Sequence, residues 1–391
     1  MKALRNYLNK IKPEFEHGGK YEKLWSVFDG FESFLFVPNA TSGKKGVQIH
    51  DSVDSKRVMS IVVLALIPAL LVGMYNVGYQ HYLAIGESVD FISTFLFGFL
   101  AVLPKIVVSY GVGLGIEFAV AQVKRHEIQE GFLVSGMLIP MIVPVDTPLW
   151  MIAVATAFAV IFAKEIFGGT GMNVFNVALI TRAFLFFAYP AKMSGDNVFV
   201  RISDSFGFGG GTAVEGFSGA TPLSYAASGV PVKDIVGNSI SSWDYFLGLI
   251  PGSIGETSTL AILIGAAILL FTGVASWRIM LSVFAGGALL GWIVNVGGAS
   301  TLSVADQLCL GGFAFAAVFM ATDPVTGCRT NTGKYIYGFL IGALAIIIRV
   351  FNTGYPEGAM LAVLLMNVFA PLIDFYVVEA NIKRRLKRAN A

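Results

Sequence analysis

The chain alternates long apolar runs with short polar joints. Ten runs can be marked out: about 58–77, 98–122, 132–145, 149–165, 174–189, 258–274, 279–296, 306–321, 336–351 and 358–377. A membrane-crossing helix needs roughly 20 mostly apolar residues, and several runs approach that length. Others are short or broken, as where Pro140 and Pro144 interrupt the third. The stretch 91–122 reads either as one long helix bent near Pro104 or as two shorter pieces. Ahead of the first run, Tyr21, Leu24, Trp25, Phe28, Phe31 and Leu35 recur at helical spacing, with Glu22, Lys23, Asp29 and Glu32 off the stripe, until Pro38 stops the pattern. This segment predicts an amphipathic helix lying against a partner protein or on a membrane surface. Packing into a core is the weaker expectation, because the arm has little core of its own.

The pattern describes an all-α polytopic membrane protein, and composition agrees. Apolar residues make up 55% of 391 and charged residues 13%, where a soluble domain carries about 25% charged residues. The 44 glycines suit closely packed membrane helices. Residues 1–57 are polar and mixed in charge, so no secretory signal is expected before the first span.

Charge sets the orientation. The arm carries ten Lys/Arg against seven Asp/Glu. The other end holds Lys383, Arg384, Arg385, Lys387 and Arg388, and alternate loops hold Lys124 and Arg125, Lys164, Arg278, Arg329 and Lys334. By the positive-inside rule both termini are cytoplasmic and the long 190–257 loop is extracytoplasmic. The expected organisation is a 1–57 cytoplasmic arm, a 58–189 membrane half, the 190–257 loop, a 258–378 membrane half and a basic 379–391 tail. Five spans per half would make the halves inverted.

The cysteine and histidine counts limit the chemistry. Cys309 and Cys328 form no CxxC pair, so four thiolates for an iron–sulfur cluster are not available within the chain. His17, His50, His81 and His126 are scattered, which argues against a haem pair or a metal cluster. Electrons, if the chain moves them, must ride on organic cofactors. No dinucleotide fingerprint follows a strand, and the basic residues gather at membrane boundaries rather than in a nucleic-acid patch.

Two polar segments carry candidate chemistry. Ser218-Gly219-Ala220-Thr221 places a threonine behind a small flexible tripeptide on the longest polar connection, a good place for an enzyme to attach a group. In the region 164–190, Gly168, Gly169 and Gly171 allow a sharp turn that brings backbone N–H groups near a ligand. Asn173 and Asn176, three apart, are expected on one face of the helix that follows. Their amides could both donate to and accept from the pyrimidine edge of a flavin ring, or simply glue helices together.

These segments occur in one order with Arg-Ala-Phe-Leu-Phe-Phe-Ala-Tyr-Pro (182–190), Ile-Pro-Gly-Ser-Ile-Gly-Glu (250–256) and Met-Ala-Thr-Asp-Pro-Val-Thr (320–326). The chain thereby resembles, over essentially its whole length, the family formed by the B subunit of sodium-translocating NADH:quinone reductases and the D subunit of Rnf complexes. The arm motifs Gly-Gly-Lys-Tyr-Glu-Lys (18–23) and Asp-Ser-Val-Asp-Ser-Lys-Arg (51–57) favour the quinone reductase branch.

The resemblance implies a fold similar to urea and ammonium transporters, in a six-subunit translocase of a bacterial inner membrane. It implies FMN esterified through its phosphate to periplasmic Thr221 by a flavin transferase, and non-covalent riboflavin at Asn173 and Asn176. Electrons would come from the C subunit, pass through both flavins and reach a quinone such as ubiquinone near the A subunit, with sodium moved in step; the D, E and F subunits complete the complex. Two positions depart from the family pattern: Glu215 stands where Asp is usual six residues before the threonine, and Val177 where Pro usually follows the second asparagine. Residues 201–211 resemble an insertion. The alternatives are an Rnf-type protein, which differs in electron donor, and a flavin-free channel or transporter.

Intramembrane charges complete the candidates. Glu117 lies in an apolar run, where a carboxylate costs roughly 2.5–3.5 kcal/mol at mid-depth on insertion scales. It is either functional or reaches the interface near Lys124. The resemblance places Gly113 and Glu117 at the quinone site, and Glu117, Asp374, Asp323 and Asp29 along the sodium pathway. Read without it, Asp374 could cap or pair near Lys383, Asp323-Pro324 could start a turn, and Asp29 could sit on a solvated face. Arg182 has no carboxylate near it in sequence and needs a partner across the bundle, such as a flavin phosphate or a backbone carbonyl.

Overall fold

The computed structural model describes residues 2–16, 18–36, 55–124, 131–300, 302–352, 354 and 357–389. Pro38, His17, His50, Arg125, His126 and the 51–54 part of the arm motif lie outside the described residues. The described part of the arm holds the helices α1 (Lys2–Phe15) and α2 (Trp25–Leu35). Ahead of the long connection come α3 (Ser55–Ile85), α4 (Phe91–Lys124), α5 (Phe132–Met141), α6 (Leu149–Ala159) and α7 (Val177–Ala188). Short helices α8 (Pro190–Met193), α9 (Pro222–Ala227) and α10 (Ser242–Leu247) punctuate the long connection. The second set is α11 (Thr259–Phe271), α12 (Trp277–Val296), α13 (Val304–Cys309), α14 (Phe313–Phe315), α15 (Asn331–Phe351) and α16 (Ala359–Ala389). Two isolated bridges, Ser205 with Phe208 and Lys233 with Ser239, are the only β pairing among the described residues.

Helix α4 runs unbroken through Pro104, so 91–122 is one helix. The basic end is also helical, since α16 continues to Ala389. Among the described residues, five helices, α3, α4, α12, α15 and α16, are each long and apolar enough to cross a membrane. The others are shorter or interrupted. Phe271, Trp292, Phe351 and Phe375 stand exposed on the helix exteriors, as lipid-facing positions do. Glycine lets the backbones touch: a Cβ on Gly98 would lie 1.7 Å from the Met74 carbonyl oxygen of α3, and one on Gly342 2.0 Å from that of Val283 in α12.

The arm departs from expectation. Helix α2 packs on α1 and on the far end of α4, with Phe28 buried and stacked 4.7 Å from Phe15. Ser26 donates through its hydroxyl to Gln122 Oε1 at 2.9 Å, and Gln122 donates back to the Glu22 carbonyl. The stripe therefore divides: Phe28 builds a small core, while Leu24, Phe31 and Leu35 stay exposed.

Among the described residues, two of the expected spans are broken, and their free carbonyls are claimed by distant groups. Helix α5 stops at Ile142 ahead of Pro144, and Gly255 donates its N–H to Met141 O at 2.7 Å. The expected eighth span is α13 and α14 separated by Gly311 and Gly312, whose φ values of 65° and 69° favour glycine. Arg349 of α15, buried, donates to the carbonyls of Gln307 and Leu310 at that joint. Unpaired backbone groups are costly away from water, so these contacts make both breaks tolerable. Helices α6 and α14 each run on into a π-helical turn, Val160–Glu165 and Ala316–Met320.

Candidate functional site

Thr221 is the N-cap of α9, with extended backbone (φ −76°, ψ 154°), and its Oγ1 accepts the Ser224 N–H at 3.3 Å. Pro222 occupies the first helical position, where its missing N–H costs nothing. The preceding residues hold the threonine in place. Ser218 donates its N–H to the Ile235 carbonyl, and its hydroxyl accepts the Ala220 N–H. A Cβ on Gly219 would fall 2.1 Å from the Asp196 carbonyl oxygen, so only glycine fits there. Thr221 is half-buried and borders two clefts, one of about 780 Å³ shared with Ser224 and Glu357, the other lined also by Glu256, Thr257 and Gly312. Glu215 is exposed.

A separate cleft of roughly 820 Å³ brings together Lys164, Thr170, Asn173, Asn176 and Asp323 between walls that include Val62, Leu138 and Phe319. That mix of apolar wall and few polar groups is typical of a small-molecule site. Gly168, Gly169 and Gly171 all have φ between 93° and 114°, which makes the turn at its edge. The asparagines do not share a helical face as expected. Helix α7 begins only at Val177, so Asn173 lies in the turn and Asn176 is the N-cap, its Oδ1 accepting the N–H groups of Ala178 and Leu179. Val177 is thus the first helical residue, the position at which proline is favoured in general, so the departure from the family pattern introduces no distortion.

The hydrogen bonds narrow what the asparagines can offer. Asn173 Nδ2 donates to Phe175 O and Asn176 Nδ2 to Asp323 Oδ2 at 3.1 Å, while both side-chain oxygens accept backbone N–H groups. Each amide retains one further N–H. Asp323 also accepts the Val325 N–H at 2.9 Å, which makes it the start of a turn and a neighbour of Asn176 at once. Thr170 Oγ1 is buried there without a hydrogen-bond partner.

Glu117 does not pair with Lys124. It is buried in an ion pair with Lys164, itself 3% exposed. Lys164, expected as a loop charge, belongs instead to the π-turn after α6, and Lys124 pairs with the adjacent Glu165 at 3.7 Å. Gly113, one helical turn from Glu117, faces Phe132, whose ring would lie 1.9 Å from an added Cβ. Gly113→Ala is therefore expected to lower stability by about 1–3 kcal/mol through overpacking. Thermal unfolding in detergent would show it, with part of the loss recovered when Phe132→Leu is added.

Asp374 caps the start of α15, accepting the N–H groups of Arg329 (2.7 Å) and Thr330 (3.1 Å). Lys383 is not its partner; it pairs with Glu379. Asp29 is half-buried on α2. These two acids lie apart from the residues of the cleft.

Arg182 finds its partners across the bundle. It donates to the Ile142 carbonyl at 2.5 Å, to Glu256 at 2.8 Å and to Glu357. The carboxylate of Glu256 rests against Gly312, within 2.8 Å of the position a Cβ there would take. One ion pair thus joins the carbonyl end of α5 to the amino end of α14, each charge opposite in sign to the helix end it meets. Lys164, Glu256, Glu357 and Arg349 escaped the sequence reading as site residues. Their one signal was charge inside or beside apolar runs.

No group of three or more His, Cys, Asp or Glu among the described residues could hold a metal ion. Compared with known proteins, residues 43–383 match the model of the NQR2, RnfD, RnfE family. The chain is 44% identical to the Na(+)-translocating NADH-quinone reductase B subunit of Chromohalobacter salexigens, over 99% of this chain and 97% of that one. It is 44% identical to the protein of the same name from Pseudomonas aeruginosa and 43% to that of Azotobacter vinelandii, covering 99% of both chains each time. The chain is a member of the NQR2, RnfD, RnfE family.

Proposed function

We propose that this chain is the membrane-embedded B subunit of a sodium-translocating NADH:quinone reductase, working as an electron relay with two flavins. It would sit in the inner membrane with both termini cytoplasmic and about ten spans in two inverted halves. The A, C, D, E and F subunits of the complex would be its partners. The observation that carries the reading is the match from end to end with known B subunits, 44% identical over 99% of the chain. The clefts give it chemical content.

Riboflavin suits the cleft at Asn173 and Asn176: two amide N–H groups are free to meet ring carbonyls, the Thr170 hydroxyl is buried without a partner, and the walls are apolar. FMN suits Thr221, a hydroxyl held on a fixed cap beside open volume. The transferase would join the FMN phosphate to Oγ1 and release AMP from FAD, the hydroxyl proton leaving with it. Bound flavins supply the one- and two-electron chemistry. The chain's own residues position them and surround them with charge. Glu117 and Asp323 offer oxygen ligands of the kind sodium needs, and Gly113 with Glu117 would border the quinone.

Extraction of the non-covalent flavin tests the cleft. Asn176→Ser retains an oxygen that caps α7 but removes the donor to Asp323 and to the ring. The purified complex is expected to lose most of its riboflavin, with the Thr221-linked flavin unaffected. Full riboflavin content in this variant would place that flavin elsewhere.

A further inference from the structure

We propose that Lys164 is a charge-coupling residue, shared between the occupant of the cleft at Asn173 and Asn176 and the Glu117 carboxylate. The inference rests on the flavin reading of that cleft and goes beyond it, because it ties the cleft's redox state to a specific acid.

Three observations carry it. Lys164 lines the cleft together with Asn173, Asn176 and Asp323. The same side chain forms the ion pair with Glu117, both groups being only 4% exposed. The lysine is carried on a π-turn, a distortion frequent at functional sites, and Lys124 pins the next residue, Glu165, to α4 through both its carboxylate and its carbonyl. Among the described residues, Lys164 is the sole cation paired with Glu117.

Charge in so poorly solvated a place acts over several ångströms. An electron entering the cleft adds negative charge on the side Lys164 faces, and no bond or proton need move. The lysine stabilises that electron, while Glu117, by neutralising the lysine, opposes it. By reciprocity, reduction of the occupant weakens the hold of Lys164 on Glu117. The carboxylate is then released toward another cation when the electron arrives. Lys164 is a positioning residue in this scheme and takes no electron itself.

Spectroelectrochemical titration of the intact complex tests the coupling, using Lys164→Gln, Glu117→Gln and the double variant in preparations that retain the covalent flavin. Lys164→Gln is expected to cut the reduced-to-oxidised ratio of riboflavin at a fixed potential by roughly tenfold, about 59 mV for a one-electron couple. Glu117→Gln is expected to shift it the opposite way, and the double variant to return toward the parent value. Opposite signs are what a merely structural pair would not give. Single variants that shift in the same direction, or not at all, would overturn the coupling. Ala275→Trp, which fills the cleft, separates this from the underlying reading. Riboflavin kept in full there would remove the flavin assignment and the coupling with it. Riboflavin lost there, with unmoved potentials in the charge variants, would remove the coupling alone.

Discussion

Thr221→Ala is expected to abolish covalent flavin on this chain while leaving the bundle folded. The hydroxyl is the only atom at that position able to form a phosphate ester, so the loss should be complete. What the fold loses is small. Oγ1 accepts one N–H, from Ser224, and caps a helix of six residues; removing such a cap costs about 1 kcal/mol. Ala220, Pro222 and Leu223 on either side are buried and keep the loop in place. Thr221→Ser retains both the cap and a hydroxyl, and is expected to keep α9 intact and to accept some flavin. Fluorescence of the denatured band under ultraviolet light, with intact mass, measures both variants. A band of Thr221→Ala as bright as the parent would refute the attachment site. A parent chain without flavin, from cells that make the transferase, would favour a permease.

The second large effect concerns stability. Arg182→Leu would leave Glu256 and Glu357 without their shared cation and the Ile142 carbonyl without its donor. Removing one member of a buried ion pair costs about 3–5 kcal/mol, here with both Arg182 and Glu256 almost fully buried. The expected outcome is a chain that accumulates poorly and unfolds at a clearly lower temperature in detergent. Adding Glu256→Gln and Glu357→Gln should recover much of the loss, because the penalty lies in uncompensated charge rather than in volume. A single Arg182→Leu variant as stable as the parent would show that the triad contributes nothing to the fold.

Legibility followed sequence distance. Thr221 and its small neighbours could be read because the motif is four residues long and its geometry is local. The glycine turn could be read for the same reason, since three positive φ values need three glycines. The asparagines were expected on one helical face and are not there. Helix boundaries drift by a few residues, and a start at residue 174 rather than Val177 turns an N-cap into a helical face.

The ion pairs were out of reach. Glu117 and Lys164 are 47 residues apart, and Arg182 and Glu357 175 apart; no periodicity links such positions. Lys164 was misread for a physical reason: a lysine at the end of an apolar run ordinarily marks the interface, and here the π-turn carries it back inside. The broken eighth span was hidden because apolar residues flank the joint on both sides. Only Gly311 and Gly312 mark the interruption.

The two wide turns at Val160–Glu165 and Ala316–Met320 have an evolutionary corollary. Each holds one more residue than a regular coil of the same height requires, so each is a place where a deletion could be absorbed without shortening the helix. Such a deletion would leave the remainder in register and shift only the residues of the turn itself, carrying Lys164 off the wall it shares with Phe319. Descendants that drop a residue there would keep the architecture and lose the wiring.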